Sequence, residues 1–428
     1  MTSTAVVELD QSHFAGLAAG GGGATAIDAL RAAQVTKHLQ LIGFLLERWP
    51  GPERERDAVV AALEWARKRD AERFAEVIGK PLVGGWAAIA ARAAMQGRPQ
   101  WTDAAQLGAL AMVACAAAGE DGDATVPVRA GLAAVPGLGV AKVDADRALL
   151  TVRDGELAVH GGGVTVPVRA GHEDDPRWLP VRRLTADGIA LDLDDVDPYR
   201  HGHHVPPANR LPSREVAHWQ ELFADAWELL MRHLPERAAE LGAGLRTLVP
   251  LVEDGQSARS ATIRHAFGVF GLTRPPSAAE FAVTAVHEFQ HSKLSAMLDL
   301  VPMSDASDRG RYFAPWRTDP RPLPGLLQGV YAFVGVADTW RALRAVDGLT
   351  SEAERQFATA RMQVHTGLTS IERSPALTSA GRELVGHLRE RTEALLAEPV
   401  PPAVARAAEE TNARIRQQWV ERNGAIPA

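Results

Sequence analysis

The sequence predicts a mainly α protein with a smaller β-rich section, an α+β chain, on three observations. Apolar residues recur at helical spacing from about residue 25 to 119, and again from 216. Between about 124 and 195 the period shifts toward two, with Val, Thr and Gly punctuation. His287-Glu288-Phe289-Gln290-His291 then sets one HExxH inside a capped helix. The chain accordingly divides into an N-terminal helical section (1–120), a β-rich section (121–200) and a helical metal-binding catalytic section (201–428). At 428 residues it exceeds one typical core, so several substructures are expected.

In the first section, Ala29, Leu30, Ala33, Leu39, Leu41, Leu45 and Leu46 pattern one helix, and 59–75 and 86–96 pattern two more. The glycines at 20–23 are preceded by no strand and followed by no G-K-[ST]. Flexible punctuation is therefore expected there rather than a phosphate loop. A single cysteine, Cys115, excludes an intramolecular disulfide framework and reads as a buried small hydrophobe. The apolar run 107–119 is too short and too Ala-rich to span a bilayer.

In the second section, 125–128, 149–152, 157–159, 164–168 and 189–193 read as short strands with tight turns. Asp197-Pro198-Tyr199-Arg200-His201-Gly202-His203-His204 follows as a polar loop. Its histidines either ligate a metal or, as such loops more commonly do, stay solvated.

The third section opens with a helix over 216–234, and 237–300 lead into the metal helix. Pro275-Pro276 stops what precedes, and Ser277 with Glu280 forms an S-x-x-E capping box. Phe281, Ala285 and Phe289 make the apolar stripe of this helix. Thr284, His287, Glu288 and His291 lie on a neighbouring, more polar face, and Pro302 ends the pattern. From Arg311 to Leu323, three prolines, three arginines and three aromatics favour a rigid loop. Pro324 opens a helix that continues through Trp340, and 351–397 and 401–423 are helical and charged.

The net charge of −7 argues against general nucleic-acid binding. The first 17 residues carry neither a basic n-region nor an apolar h-region, so a cytoplasmic protein with no membrane partner is expected. Oligomeric state is not encoded in any feature of the sequence.

Residues four apart on a helix share a face, so the imidazoles of His287 and His291 can close on one ion. Glu288 sits where a zinc protease keeps its general base. A catalytic site needs a third ligand and an open position. Gluzincin peptidases draw that ligand, a Glu, from a later helix, and a helical, gluzincin-like core is the expectation here. The corresponding residue is Gln328, a weak ligand for Zn²⁺. Asp319 is the alternative, completing a 2-His-1-carboxylate set of the kind that holds non-haem Fe(II). Asp338 is a further candidate. Asp299 lies eight residues past His291, about 12 Å along the axis, and is too far.

His287-Glu288-Phe289-Gln290-His291-Ser292-Lys293-Leu294, Leu298-Asp299-Leu300-Val301-Pro302, Tyr312 with Ala314-Pro315-Trp316-Arg317, and Gly325-Leu326-Leu327-Gln328-Gly329-Val330-Tyr331 together resemble the actinobacterial HEXXH-motif-domain family. The resemblance covers most of the chain and is specific mainly from about 260 to 340. It implies Fe(II)- and 2-oxoglutarate-dependent β-hydroxylation of a ribosomally made precursor peptide. Of the family's site, the pair of metal histidines carries over. Arg317 or Arg321 could clamp the distal carboxylate of 2-oxoglutarate, and Tyr312 or Tyr331 could add a hydroxyl. Glu288 would then hold a positioning role. A zinc metallopeptidase is the second reading and a non-catalytic, metal-stabilised binding protein the third.

Overall fold

The computed structural model of the chain describes residues 9–171, 173–201, 205–255 and 258–424. Helices open it: α1 (Gln11–Ala18), α2 (Gly23–Glu47), α3 (Glu53–Arg69), α4 (Ala71–Ile78), α5 (Pro81–Met95), α6 (Trp101–Ala104) and α7 (Gln106–Ala118). The single helix expected over 59–75 is two. Asp70 turns extended, at φ −149° and ψ 92°, and its side chain accepts from Arg73 N to cap α4. Trp101–Ala118 is apolar and long enough to cross a bilayer, yet 67 % of that window is buried inside the fold.

Seven strands follow: β1 (Gly122–Arg129), β2 (Leu132–Val135), β3 (Gly139–Lys142), β4 (Arg147–Arg153), β5 (Glu156–Gly161), β6 (Val164–Pro167) and β7 (Trp178–Pro180). They form an antiparallel sheet in the order β6-β5-β4-β1-β2-β3-β7. Asp154 and Gly155, both at positive φ, make the two-residue turn between β4 and β5.

Next come β8 (Arg182–Ala186), β9 (Ile189–Leu193), α8 (Ser213–His233), α9 (Pro235–Gly244), β10 (Thr247–Pro250), β11 (Ser260–Thr262) and β12 (Val269–Leu272). The chain ends with α10 (Ala278–Leu300), α11 (Leu323–Leu343), α12 (Thr350–Glu372), α13 (Ser379–Ala397) and α14 (Pro402–Asn423). A second sheet runs β11-β12-β10-β9-β8, parallel at its centre and antiparallel at both edges. Strands from either side of residue 200 share it, so the β-rich section and the helical section that follows are joined by backbone hydrogen bonds. The sequence reading had no strands after 200.

Two large cores result. One packs α1 and the start of α2 with β8, β9 and α8 to α13. The other packs the end of α2 and α3 to α7 against the seven-stranded sheet. Helix α2 belongs to both: Ala26, Ile27 and Leu30 enter the first, Ile42 and Leu45 the second.

The segment 194–200 is locked rather than solvated, with Tyr199 packed into the second core. Asp197 and Tyr199 are each 8 % exposed, and Arg200 Nη1 donates to Asp197 O at 2.7 Å. Lys80, Asp192, Asp194, Asp197 and Tyr199 surround one small cavity there. Burial, then the neighbouring Asp197, raise Asp194 from 3.8 to about 7. A carboxyl that holds its proton more tightly when folded gives stability that is complete below the unfolded pKa. That stability is lost as pH rises through the folded value. Asp194→Asn keeps the acceptor for Val196 N and Asp197 N. It should therefore flatten the fall in melting temperature between about pH 5 and about pH 8. Parallel wild-type and mutant melting curves across that range would sink the assignment.

Candidate metal site

Helix α10 begins where Ser277 Oγ accepts from Glu280 N at 3.2 Å. Phe281, Ala285 and Phe289 are buried as the stripe predicts. On the neighbouring face Thr284, His287 and His291 are half-buried and Glu288 is 2 % exposed, with β11 and β12 beside it; one turn on, Ser292 Oγ accepts from Gly268 N.

His287 Nε2 and His291 Nε2 lie 3.1 Å apart, with ring planes at 83°. Burial first, then His291, pull His287 down to about 4, so its imidazole is neutral at physiological pH, as a metal ligand must be. Gln328 fixes the other ring. Its amide nitrogen donates to Ser295 Oγ at 3.2 Å, which turns Oε1 toward His291 Nδ1 at 3.0 Å. Nδ1 therefore carries the proton and Nε2 presents its lone pair to His287. Two nitrogens 3.1 Å apart can each sit about 2.0–2.1 Å from one ion, so the pair fits a metal. Gln328, expected as a third ligand, instead orients the second. Outer partners of this kind tune affinity by about 10–100-fold. Gln328→Leu should weaken metal binding by that factor in a competitive chelator titration, and an unchanged constant would count against this role.

Glu288 is held by residues that sequence reasoning missed. Ser260 Oγ donates to Oε1 and Thr262 Oγ1 to Oε2, each at 2.6 Å. Both hydroxyls come from β11, where i and i+2 share a face. Oε1 stands 3.8 Å from His287 Nε2. The S-x-T alternation was visible, but a three-residue strand gives no periodic signal.

The loop before α11 is closed by an antiparallel bridge between Tyr312 and Arg321. It sends Trp316 onto Phe333, rings stacked at 4.6 Å, and Phe333 meets His287 edge-on at 5.5 Å. A Cβ at Gly329 would come within 2.3 Å of the Trp316 indole, and one at Gly367 within 3.0 Å, so both glycines make room for it. Asp319 is not brought to the histidines as a ligand. Arg317 Nε reaches it at 3.0 Å and Arg321 Nη1 at 3.3 Å, so both proposed clamp residues are engaged with it. Tyr312 Oη bonds Ser374 Oγ at 2.6 Å. Tyr331 is fully buried and its hydroxyl donates to Leu17 O at 2.6 Å, a structural contact that leaves no donor for a cosubstrate. Asp299 is tied to Lys37, Gln34 and Arg264. Among the described residues, no three His, Cys, Asp or Glu side chains gather as a metal-binding group. His203 and His204 lie outside the described residues.

The opposite face of α10 carries a buried ionic network. Lys293, 0 % exposed, donates to Glu240 Oε2 at 2.6 Å and to Gly20 O and Gly21 O at 3.0 Å. Gln290 Nε2 and Arg237 Nη1 also donate to Gly20 O. The glycine run is thus a pinned turn against the HExxH helix, not flexible punctuation. Gly20 takes φ +83°, and a Cβ there would meet Val334 and Gln290.

No protein-family model and no curated protein matches the sequence.

Proposed function

We propose that the chain is a metal-dependent peptide-modifying enzyme: an Fe(II)/2-oxoglutarate dioxygenase that β-hydroxylates a ribosomally made precursor peptide. The observation that carries this reading is the convergence of His287 Nε2 and His291 Nε2, 3.1 Å apart, with Gln328 Oε1 holding the His291 ring at Nδ1. Such a pair supplies the two imidazoles of a non-haem Fe(II) site. The resemblance to the HEXXH-motif-domain family points the same way.

In this reading His287 and His291 hold the ion, and Gln328 keeps His291 Nε2 free for it. Iron would bring the oxidant O₂ together with 2-oxoglutarate, which would give up two electrons on decarboxylation to succinate and CO₂ while the C–H bond gives the other two. Ser260 and Thr262 fix the Glu288 carboxylate with one donated hydrogen bond to each oxygen, which suits a positioning group better than one that must turn to take a proton. Phe333 and Trp316 wall the site on one side. Trp316 also lines a groove of about 800 Å³ with Gln363, Gln418, Trp419 and Arg422, room for a peptide segment within two ring contacts of His287.

The placement of Glu288 Oε1 near His287 Nε2 favours a second reading, a zinc peptidase of HExxH type. One comparison separates the two. Protein loaded with Fe(II) anaerobically and then given O₂ should release succinate from 2-oxoglutarate in a peptide-stimulated manner. Glu288→Gln should retain its metal and a measurable fraction of that turnover, because Gln still accepts at one oxygen. Peptide cleavage without 2-oxoglutarate that vanishes in Glu288→Gln would establish the peptidase instead.

A further inference from the structure

We infer that the cleft behind α10 binds an oxyanion carrying two negative charges, a phosphate or paired-carboxylate group, independently of the chemistry at the histidines. The cleft encloses about 410 Å³, within the range of small-ligand sites, and Arg237, Asp338, Arg341 and Arg391 line it. Its charges do not balance. Asp338, 3 % exposed, accepts from Arg237 Nη2 at 2.9 Å and from Arg391 Nη2, with Arg341 Nε at 3.5 Å. Glu240 is shared by Arg237 and Lys293, and Glu398 by Arg341 and Arg344. Five cations (Lys293, Arg237, Arg341, Arg344, Arg391) therefore share three carboxylates (Asp338, Glu240, Glu398), a surplus of two.

The buried members balance: Lys293 and Arg237, 0 % and 10 % exposed, are matched by Glu240 and Asp338. The excess therefore lies on the partly exposed arginines, where it raises the potential for an anion entering the cleft. Arg341 and Arg391, 36 % and 35 % exposed, form the accessible wall. Each guanidinium has five N–H donors, more than its carboxylate partners use. Glu236, the remaining acidic residue at the rim, is exposed and in no ion pair of the network, so solvent screens it. Helix α9 starts at the same rim, and its cap residue Leu234 offers no side-chain acceptor. The first N–H groups of α9 reinforce a preference for an anion that the arginines already create.

Isothermal titration of the full-length protein with inorganic phosphate and, separately, with malonate tests this at constant ionic strength. One saturable site is expected for at least one of the two anions, with a matching rise in melting temperature. Arg341→Gln/Arg391→Gln should weaken that binding about tenfold or more, since it removes the charge-assisted donors on the accessible wall. Lys37→Gln, in a separate ion pair with Asp299, should leave it unchanged. Absence of saturable binding by both anions overturns the inference, as does equal affinity in a double variant that circular dichroism shows to be folded.

Discussion

Replacing His291 with alanine is expected to strip the protein of bound metal while leaving its fold intact, and His287→Ala should do the same. Among the described residues, each imidazole is one of two nitrogen donors that converge at the site, at 3.1 Å from one another. Loss of either leaves a single neutral nitrogen, with no third cluster member among the described residues to compensate. The drop in affinity should exceed the roughly 10–100-fold expected for Gln328, which acts one shell further out. Stability should change little, because the Nε2 edges face each other rather than the apolar core, and alanine suits a helix interior. Metal content after dialysis, read beside a thermal melt, checks both halves. A folded variant that still holds one equivalent at wild-type affinity would mean the motif is not the site.

Helix α10 was legible because every local signal agreed: the double proline, the Ser277 cap and the apolar stripe. The rigid loop over 311–323 and the start of α11 were legible for the same reason, proline chemistry. The five-stranded sheet was not. Strands β10, β11 and β12 are four residues or fewer, and β10 and β12 are buried throughout, so they show no alternation. With that sheet went the partners of Glu288, since Ser260 and Thr262 acquire meaning only once β11 is laid beside α10. Gln328 was found beside His291, but spacing along a chain does not say which imidazole nitrogen a side chain faces, and its Oε1 stands at Nδ1. The rear network was invisible for a simpler reason. Gly20, Arg237, Lys293 and Asp338 are scattered through the chain, and a lone Lys or Arg in a helix reads as a solvated charge.

That network supplies the largest stability effect expected of any single side chain here. Lys293→Met should cost about 3–5 kcal/mol, the penalty for removing one partner of a buried ion pair. Three acceptors lose a donor together: Glu240 Oε2, Gly20 O and Gly21 O. Gly20 O keeps Arg237 and Gln290, and Glu240 keeps Arg237 and Gly23 N, so the loss should fall toward the lower end of that range. Burial pulls the Lys293 ammonium down to about 8 against the attraction of Glu240, which still leaves it mostly charged at neutral pH. Methionine keeps the stem volume, so the measured loss reports on charge and hydrogen bonding rather than on a cavity. Lys37→Met is the control. Its pair with Asp299 is partly exposed, at 21 % and 18 %, and should be worth about 1 kcal/mol or less. Urea denaturation of the two variants compares them directly. If Lys293→Met stays within about 1 kcal/mol of wild type, the helix is held by its apolar stripe alone, and the pinned Gly20–Gly21 turn is a consequence of packing rather than an anchor of the HExxH helix.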